Sequence, residues 1–415
     1  MKKFVLFCER NGIALIPIVL ILLGCGLWPE MELLVPSLPD MQRAFNIQDA
    51  QIQQLLTANF VGFLIGVLFA GPLCDSAGRR TVMMIGTIGY LVSSVLCPFC
   101  NDFVLLMIAR FFQGLFMTGP VIAGGVLLME ATEGVKQIFW MSIGNAAITF
   151  CMAAGPIVGS WINTGFGYVG NLWSILILGL IGCLPALFLV PESLPVEKRA
   201  AFHPKLLFKG YFALLKDFRF MCLAIPMCAL AAAYWIYVGV SALYMVNQLG
   251  IAQEMFGRYQ GPIVGCFSII SLGSSKLLQR FGLMKCLRAG IVSMFTGMLL
   301  LLGMSILSLD HAVATTVFMM FFVGGMAPIC SMLFPYALGH LPVDLKGNAQ
   351  AMVQAIRLFF ASIGTSLVGV FYKSAFLPVA LIMFAILLFS CYFLWKGRRY
   401  LKEGLGADHI LSVGH

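Results

Sequence analysis

Twelve apolar segments, separated by short polar breaks, follow one another along the whole chain. They fall at about 13–35, 53–74, 81–100, 103–130, 137–163, 169–190, 220–247, 255–280, 284–308, 312–337, 346–372 and 375–396. A membrane-spanning helix needs about 20 mostly apolar residues. Each segment is therefore predicted to form one spanning helix, and the twelve are numbered here span 1 to span 12.

The longest polar break runs from about Pro191 to Arg219 and divides the spans six and six. The pattern predicts an all-α polytopic membrane protein with 12 transmembrane helices in two pseudo-symmetric six-helix bundles. We expect the first bundle at 1–195, a cytoplasmic linker at 196–219, and the second bundle with a short cytoplasmic tail at 220–415.

Composition supports lipid as the solvent for much of the chain. Of the 415 residues, 60% are hydrophobic and 10% are charged, whereas soluble domains carry roughly 25% charged residues. The histidines are dispersed outside the span centres, and no HExxH-type motif is present, which argues against a membrane-embedded enzyme. We expect no cofactor, no metal site and no nucleic-acid partner, and we expect a monomer in the lipid bilayer.

The basic residues give the chain an orientation. Of the 26 lysines and arginines, 21 fall on the side of the termini and the even-numbered loops and 3 on the other. Arg110 and Arg357 fall inside spans. Positive charge accumulates on the cytoplasmic side of membrane proteins, so both termini are predicted to be cytoplasmic, in a bacterial inner membrane.

Thirteen cysteines are scattered mostly through the apolar segments, as small hydrophobic residues would be. Cys97 and Cys100 have the spacing of a redox pair but lack a βαβ context. They are interpreted as an adventitious pair, with a disulfide or reactive pair as the alternative.

A motif lies in the break between spans 2 and 3. The sequence from Gly71 to Arg80 reads GPLCDSAGRR, which resembles the signature loop of the major facilitator superfamily, G-x-x-x-D-[RK]-x-G-[RK]-[RK], with Ser76 at a position that is usually basic. The resemblance implies a conformational latch on the cytoplasmic side. Its predicted members are Gly71, Asp75, Gly78, Arg79, Arg80 and Glu130. The stretch from Ser275 to Gly282 after span 8 keeps the glycine and basic residues without the acid, as expected of a weak internal repeat.

Three further stretches resemble the twelve-span drug:proton antiporter family, and most closely its bicyclomycin/chloramphenicol-resistance type. Residues 34–39 match its P-x-L-P segment, and Arg110 to Gly114 match R-x-x-Q-G. Gly155, Pro156 and Gly159 match the antiporter motif G-P-x-x-G-G, with Ser160 in place of the last glycine. The resemblance implies a secondary transporter that moves a small-molecule substrate in exchange for protons by alternating access.

Ionisable groups inside a membrane are costly and usually functional. Glu30, Glu32 and Arg110 are the predicted proton-coupling residues. The two glutamates differ by about 200° around an α-helix, so they should face different directions unless Pro29 distorts the helix. Glu32 stands four residues before Pro36, where proton-coupled relatives carry a cavity-facing acid. It is ranked before Glu30, which is alternatively placed at the cavity rim or against a neighbouring helix. Either acid could instead be interfacial, and Arg110 could instead be structural.

Polar and aromatic residues inside the spans are the candidates for a substrate cavity. They are Arg357, Asn59, Gln113, Asn145, Tyr234, Tyr237 and Gln354. Arg357 favours an anionic or zwitterionic substrate, or else acts as a counter-ion or within a structural network. The predicted function is proton-coupled efflux of a drug-like or amphipathic molecule. The alternatives are proton-coupled uptake and dedicated export of one metabolite such as a siderophore.

Overall fold

The computed structural model describes residues 15–199, 204–372 and 375–411, and most of them are helical. Lys2, Lys3 and Arg10, which contribute to the predicted orientation, lie outside these ranges. The spans are Leu15–Phe45, Asp49–Ala77, Arg79–Phe99, Phe103–Glu130, a pair within Gly134–Leu189, Phe218–Gln248, Gln253–Phe281, Leu283–Ile306, Ala312–Gly339, Val343–Phe371 and Leu377–Leu411.

Span 1 is broken and longer than its apolar segment suggested. A helix Leu15–Leu27 is followed by a turn, a second helix Glu30–Leu34, a 3₁₀ turn Val35–Ser37 and a third helix Leu38–Phe45. The sequence placed the end of span 1 near residue 35, where the apolar segment ends. Pro36 and Pro39 lie at early positions of the 3₁₀ turn and of the last helix, where a missing N–H costs little. The glutamates are therefore well inside the span.

Spans 5 and 6 join without a loop. The helical stretch Gly134–Leu189 is interrupted only at Gly167, with φ 64° and ψ −172°. At 1.5 Å per residue, its 56 residues would extend about 84 Å as one helix, far beyond the roughly 30 Å of a bilayer core. The break at Gly167 makes two spans, 134–166 and 168–189.

Each of the turns after spans 2 and 8 is formed by one glycine with positive φ. Gly78 has φ 101° and Gly282 has φ 76°, and each is the single residue between two consecutive helices. Glycine adopts positive φ without the steric cost that other residues bear. The repeat of this turn six spans later fits two structurally related halves.

The halves pack within themselves and meet along two lines. Spans 2 and 11 pack together, and spans 5 and 8 pack together. Many large apolar side chains remain exposed around the spans, with Phe166 at 78% and Phe150 at 73%. Such a surface suits contact with lipid acyl chains.

A linker helix, Pro204–Lys216, lies between the halves. It packs against spans 7 and 11, and the Tyr211 hydroxyl donates to the Leu68 carbonyl of span 2 at 2.8 Å. The side of the molecule that carries this helix and the turns at Gly78 and Gly282 is called the basic side below.

Candidate functional site

A cavity of about 770 Å³ lies between the halves on the basic side. Spans 1, 2, 4, 5 and 11 and the linker helix line it, from Asp75 and Asn348 near their basic-side ends to Leu27 and Trp28 deeper in. Most of the lining is apolar. Its polar side chains are Asp75, Ser142, Asn145, Asn348, Gln350 and Gln354. The volume and the mixture suit a drug-sized ligand with a few polar groups.

The opposite side is closed by contacts between the halves, which are called the seal. The Gln53 amide donates to the Gly239 carbonyl at 2.7 Å, and the Gln253 amide donates to the Pro36 carbonyl at 2.7 Å. The Thr57 and Thr365 hydroxyls are 2.8 Å apart. Among the described residues, the cavity therefore ends at the seal and opens toward the basic side.

Glu32 lies in the seal just beyond the deep end of the cavity. It is four residues past Trp28, about 6 Å along a helix axis, and its side chain is fully buried. Tyr234 of span 7 donates its hydroxyl hydrogen bond to Glu32 Oε1 at 2.9 Å, and Gln260 donates to the Tyr234 oxygen at 3.4 Å. Glu32 Oε2 has no hydrogen-bond partner in the described ranges. The carboxyl group is thus held by the other half of the molecule.

Glu30 faces the interior of the first half instead. Asn59 donates to Glu30 Oε1 at 2.9 Å, and Arg110 Nη2 lies 3.8 Å from the same oxygen. Arg110 also donates to Gln113 Oε1 at 2.5 Å, and Gln113 in turn donates to Ser94 at 2.7 Å. All five side chains are buried. Both glutamates are buried within the protein, and the two point to different partners, as their 200° separation requires.

The antiporter-like segment of span 5 packs directly behind Glu32. A Cβ on Gly155 would lie 2.7 Å from Glu32 Cβ, and one on Gly159 would lie 2.5 Å from the Leu33 carbonyl oxygen. Real Cβ atoms do not approach so closely, so both positions need glycine for spans 1 and 5 to meet. The sequence motif therefore sets the position of Glu32.

The same segment also reaches the second half. The Gly257 N–H of span 8 donates to Ser160 Oγ at 3.0 Å, and a Cβ on Gly257 would meet the backbone at Pro156 and Ile157. Ser160, the residue that departs from the family motif, thus makes a hydrogen bond across the seal.

Arg357, one of the seven predicted cavity residues, does not line the cavity. The other six divide into three groups. Asn145 and Gln354 line the cavity. Asn59 and Gln113 do not, because the network around Glu30 and Arg110 engages their side chains. Tyr234 and Tyr237 are buried on the seal side of span 7 and do not line it either.

Arg357 is half-buried, one turn beyond Gln354 on span 11. Within the described parts of the chain it has no hydrogen bond or ion pair to another side chain. It packs near Cys228 and Cys330 on spans 7 and 10, away from Glu32, whose hydrogen bond comes from Tyr234. It is therefore not a counter-ion of Glu32 in this conformation.

The predicted latch residues lie at the basic-side end of the first half. Arg79 Nη2 is 2.9 Å from Glu130 Oε1 and 3.8 Å from Asp75. The side chain of Asp75 is 66% exposed and faces the cavity with Gly71, and among the described residues it forms no hydrogen bond or ion pair with the second half. The cluster joins spans 2, 3 and 4 to one another while the basic side is open.

Glu192 is the central residue of this cluster, and sequence reasoning did not select it. It accepts hydrogen bonds from the backbone N–H groups of Arg79 at 3.0 Å and Arg80 at 3.4 Å, so it caps the N-terminus of span 3, where a negative charge is favoured. Arg199 lies 3.6 Å from its other oxygen. A Cβ on Gly78 would clash with Glu192, which explains the glycine. The stretch from Pro191 to Leu194 reads PESL and resembles the P-E-T-L segment that follows span 6 in the antiporter family, and this resemblance was the available signal.

The other residues that sequence reasoning did not select as site residues are Ser94, Ser160, Gly257 and Gln260. Each acts through a contact with another span. The sequence carried a signal only for Ser160, as a departure from a motif.

Cys97 and Cys100 are both free. The Cys100 thiol donates to the Leu96 carbonyl, and burial raises the pKa of Cys100 above its ordinary value. Neither observation suggests an activated thiol, because reactive cysteines have lowered pKa values.

Comparison with known proteins places this architecture. The family model for the Major Facilitator Superfamily matches residues 20–365. A bicyclomycin resistance protein homolog of Haemophilus influenzae is 22% identical over 376 residues, which are 90% of this chain and 94% of that protein. The multidrug resistance protein MdtL of Salmonella heidelberg is 23% identical, over 80% of this chain and 84% of that protein.

Solved structures share the fold. A D-xylose-proton symporter superimposes with a TM-score of 0.74 at 15% identity, covering 92% of this chain and 97% of that one. The nucleoside transporter NupG gives a TM-score of 0.69 at 15% identity, covering 93% and 99%. At this identity the likeness shows the fold alone. The family match, spanning most of the chain and all the motifs described above, shows that this protein belongs to the Major Facilitator Superfamily and is a membrane transporter, not an enzyme.

Proposed function

We propose that this transporter exports a drug-like or amphipathic small molecule in exchange for protons. The basic side is then the cytoplasmic side of a bacterial inner membrane, both termini are cytoplasmic, and the described conformation is inward-facing. The orientation rests on the basic loops. The direction of transport rests on the antiporter-like segment and on the names of the two resistance relatives.

The observation that carries the proposal is the position of Glu32. It is buried in the seal, one turn past the cavity, and bonded to Tyr234 of the other half. A hydrogen bond to a carboxylate is stronger than one to a neutral acid. The unprotonated site therefore holds the seal closed, and protonation weakens it.

This arrangement accounts for exchange. An antiporter changes conformation when loaded with proton or with substrate, and should not do so when empty. With Glu32 charged and the cavity empty, the Tyr234 hydrogen bond keeps the seal shut. A proton on Glu32 weakens this bond, and a substrate at the deep end of the cavity supplies contacts that offset its loss. The two halves then rock about the midplane site, and each ligand shifts the equilibrium by its differential affinity for the two states.

The remaining predicted residues take supporting roles in this proposal. Arg110 holds Glu30 and Gln113, so the Glu30 network positions span 1 and couples its movement to spans 2, 3 and 4. Asn145 and Gln354 contact substrate. Asp75 is exposed and is available to engage the second half when the basic side closes. The segment that carries it is shaped by Arg79, Arg80, Glu130 and Gly78. Since no step needs a second copy of the chain, a monomer suffices.

Reconstituted protein tests the proposal. In proteoliposomes carrying a pH gradient, wild-type protein should transport a cationic dye against the concentration gradient of the dye. Addition of the dye should cause a measurable change in the internal pH. The Glu32→Gln variant should lose gradient-driven transport while retaining exchange of labelled for unlabelled dye. Glu197→Gln, which changes an exposed acid of the linker, is the matched control. If the Glu32→Gln variant retains gradient-driven transport, Glu32 has no role in proton coupling. If the dye moves in the same direction as the protons, the protein is an uptake system.

A second candidate function is favoured by Arg357, a half-buried cation that makes no ion pair within the described ranges. A permanent positive charge beside the cavity suits an anionic or zwitterionic metabolite, whether exported or taken up with protons. If this is right, Arg357→Gln should abolish transport of an anionic substrate and leave cationic dyes unaffected. Equal effects on both would assign Arg357 a structural role.

A further inference from the structure

The linker helix presents three different faces. Tyr211 and Leu214 are buried against the protein at 5% and 1% exposure. Phe208, Phe212 and Leu215, spaced four and three residues apart, form an apolar stripe with 54%, 58% and 51% exposure. Residues with this spacing lie on one face of a helix.

Basic residues lie along one edge of the apolar stripe. Lys209 and Lys216 are exposed and lie about 80–100° from the stripe around the helix axis. The Lys216 ammonium lies 4.4 Å from the centroid of the Phe212 ring. A helix with an apolar face bordered by lysines is typical of segments that lie in the interface of an anionic membrane.

The depth of the helix is set by its contact with span 2. The Phe208 ring packs edge-on against Phe69, with 6.4 Å between centroids. Phe69 lies eight residues before Ala77, the end of span 2, and therefore about 12 Å into the helix. Phe208 is thus level with the last third of span 2 and does not lie beyond its end.

The same contact joins the stripe to the lipid-facing surface. Ile65 and Leu73, four residues on either side of Phe69, are 40% and 38% exposed and share its face of span 2. Phe208 adds to this stripe of span 2, so Phe212 and Leu215 continue the surface that lipid covers.

We propose that the linker helix is an interfacial helix whose apolar stripe inserts among acyl chains and whose Lys209 and Lys216 bind the phosphate groups of anionic phospholipids. The site lies beside the mouth of the cavity, since Tyr211 on the buried face lines that cavity and bonds span 2. Naming the leaflet as cytoplasmic rests on the orientation proposed above, and the binding itself does not depend on the transported substrate.

Photo-crosslinking in proteoliposomes tests this without measuring transport. A benzoylphenylalanine residue at position 212 should form adducts with lipid in vesicles of equimolar phosphatidylglycerol and phosphatidylcholine. Mass spectrometry should show phosphatidylglycerol adducts in roughly tenfold excess, because each lysine near the surface favours anionic lipid. The same photoreactive residue at Ala213, which is exposed on the side away from the stripe, should give few lipid adducts.

Charge variants make the test specific. Lys209→Gln/Lys216→Gln should bring the ratio of the two lipid adducts close to one. Lys276→Gln/Arg280→Gln removes as many exposed charges near the end of span 8 and should leave the ratio unchanged. Absence of lipid adducts at position 212, or adducts with another protein in cells, would overturn insertion. Equal amounts of phosphatidylglycerol and phosphatidylcholine adducts with Lys209 and Lys216 in place would overturn the preference for anionic headgroups.

Discussion

Glu32 of span 1 and Tyr234 of span 7 join the two halves through a hydrogen bond of 2.9 Å between the phenol and a carboxylate oxygen. Both side chains are at least nine-tenths buried. A hydrogen bond to a charged group contributes about 1.5–3 kcal/mol, compared with about 1 kcal/mol for a neutral pair. The charge on the Glu32 carboxyl group therefore directly affects the stability of the closed seal.

Tyr234→Phe should weaken the seal and uncouple transport. Loss of about 2 kcal/mol corresponds to a roughly 30-fold shift toward the open seal. We expect substrate-free proteoliposomes containing this variant to leak protons faster than wild type, as reported by an internal pH dye. Tyr392→Phe, at an exposed tyrosine of span 12, is the control. A leak rate equal to wild type would show that the hydrogen bond does not hold the seal.

Ser160→Ala removes a neutral hydrogen bond from the same seal. The expected cost of about 1 kcal/mol corresponds to a roughly fivefold shift. Hydrogen exchange of the amides in 253–261 should accelerate accordingly in mass-spectrometric measurements. Ser174→Ala, whose hydroxyl bonds only the Gly170 carbonyl of its own helix, should leave that segment unchanged. Exchange that is slower, or the same in both variants, would contradict a sealing role for Ser160.

Arg110→Met should destabilise the first half strongly. Glu30 would keep its burial and lose its cationic neighbour, and breaking a buried pair from one side typically costs about 3–5 kcal/mol. The double variant Glu30→Gln/Arg110→Met should be less destabilised than the sum of the single changes. Thermal unfolding of the four proteins in detergent measures this coupling. Strictly additive effects would mean that the two side chains do not interact.

Asp217 at the start of span 7 gives a pH-dependent contribution to stability. Burial alone would raise the pKa of Asp217, but the hydrogen bond from the Phe220 N–H and the His340 ring outweigh it, so its pKa lies below the ordinary value. A carboxyl group with a depressed pKa stabilises the folded state above its unfolded pKa of about 4 and loses that effect as the pH falls further.

The difference in melting temperature between wild type and Asp217→Asn should therefore be constant near neutral pH. It should shrink as the pH drops below about 4. A matched series with Asp310→Asn, at an exposed aspartate, corrects for general effects of acid. A difference that grows on acidification would reverse the assigned sign.

Much of the fold was predictable because membrane solvation imposes it. Apolar length and basic loops define the spans, and the motif from Gly71 to Arg80 at the span 2–3 turn identifies the family. The division into 1–195, 196–219 and 220–415 stays a prediction. The end of span 1 was wrong, because the prediction ended the span with its apolar segment near residue 35, whereas Pro36 and Pro39 each occupy an early position of a new helical turn that continues the span.

The site was less predictable because its contacts join distant spans. The angular separation of Glu30 and Glu32 indicated different directions but not their partners. Asn59 looked like a cavity residue since a polar side chain in a span suggests water, yet Glu30 satisfies it. Glu192 and Ser160 act through backbone N–H groups of other helices, which no local pattern encodes.

The absence of a loop at Gly167 has a mechanical consequence. Span 5 carries the segment that touches both Glu32 and Gly257, and it passes into span 6 through a single non-helical residue. A connection of one residue allows almost no independent movement, so any displacement of span 5 must also displace span 6. Inserting a few flexible residues at this position would let spans 5 and 6 move independently. A ligand-driven displacement of span 5 would then not be transmitted to the rest of the first half.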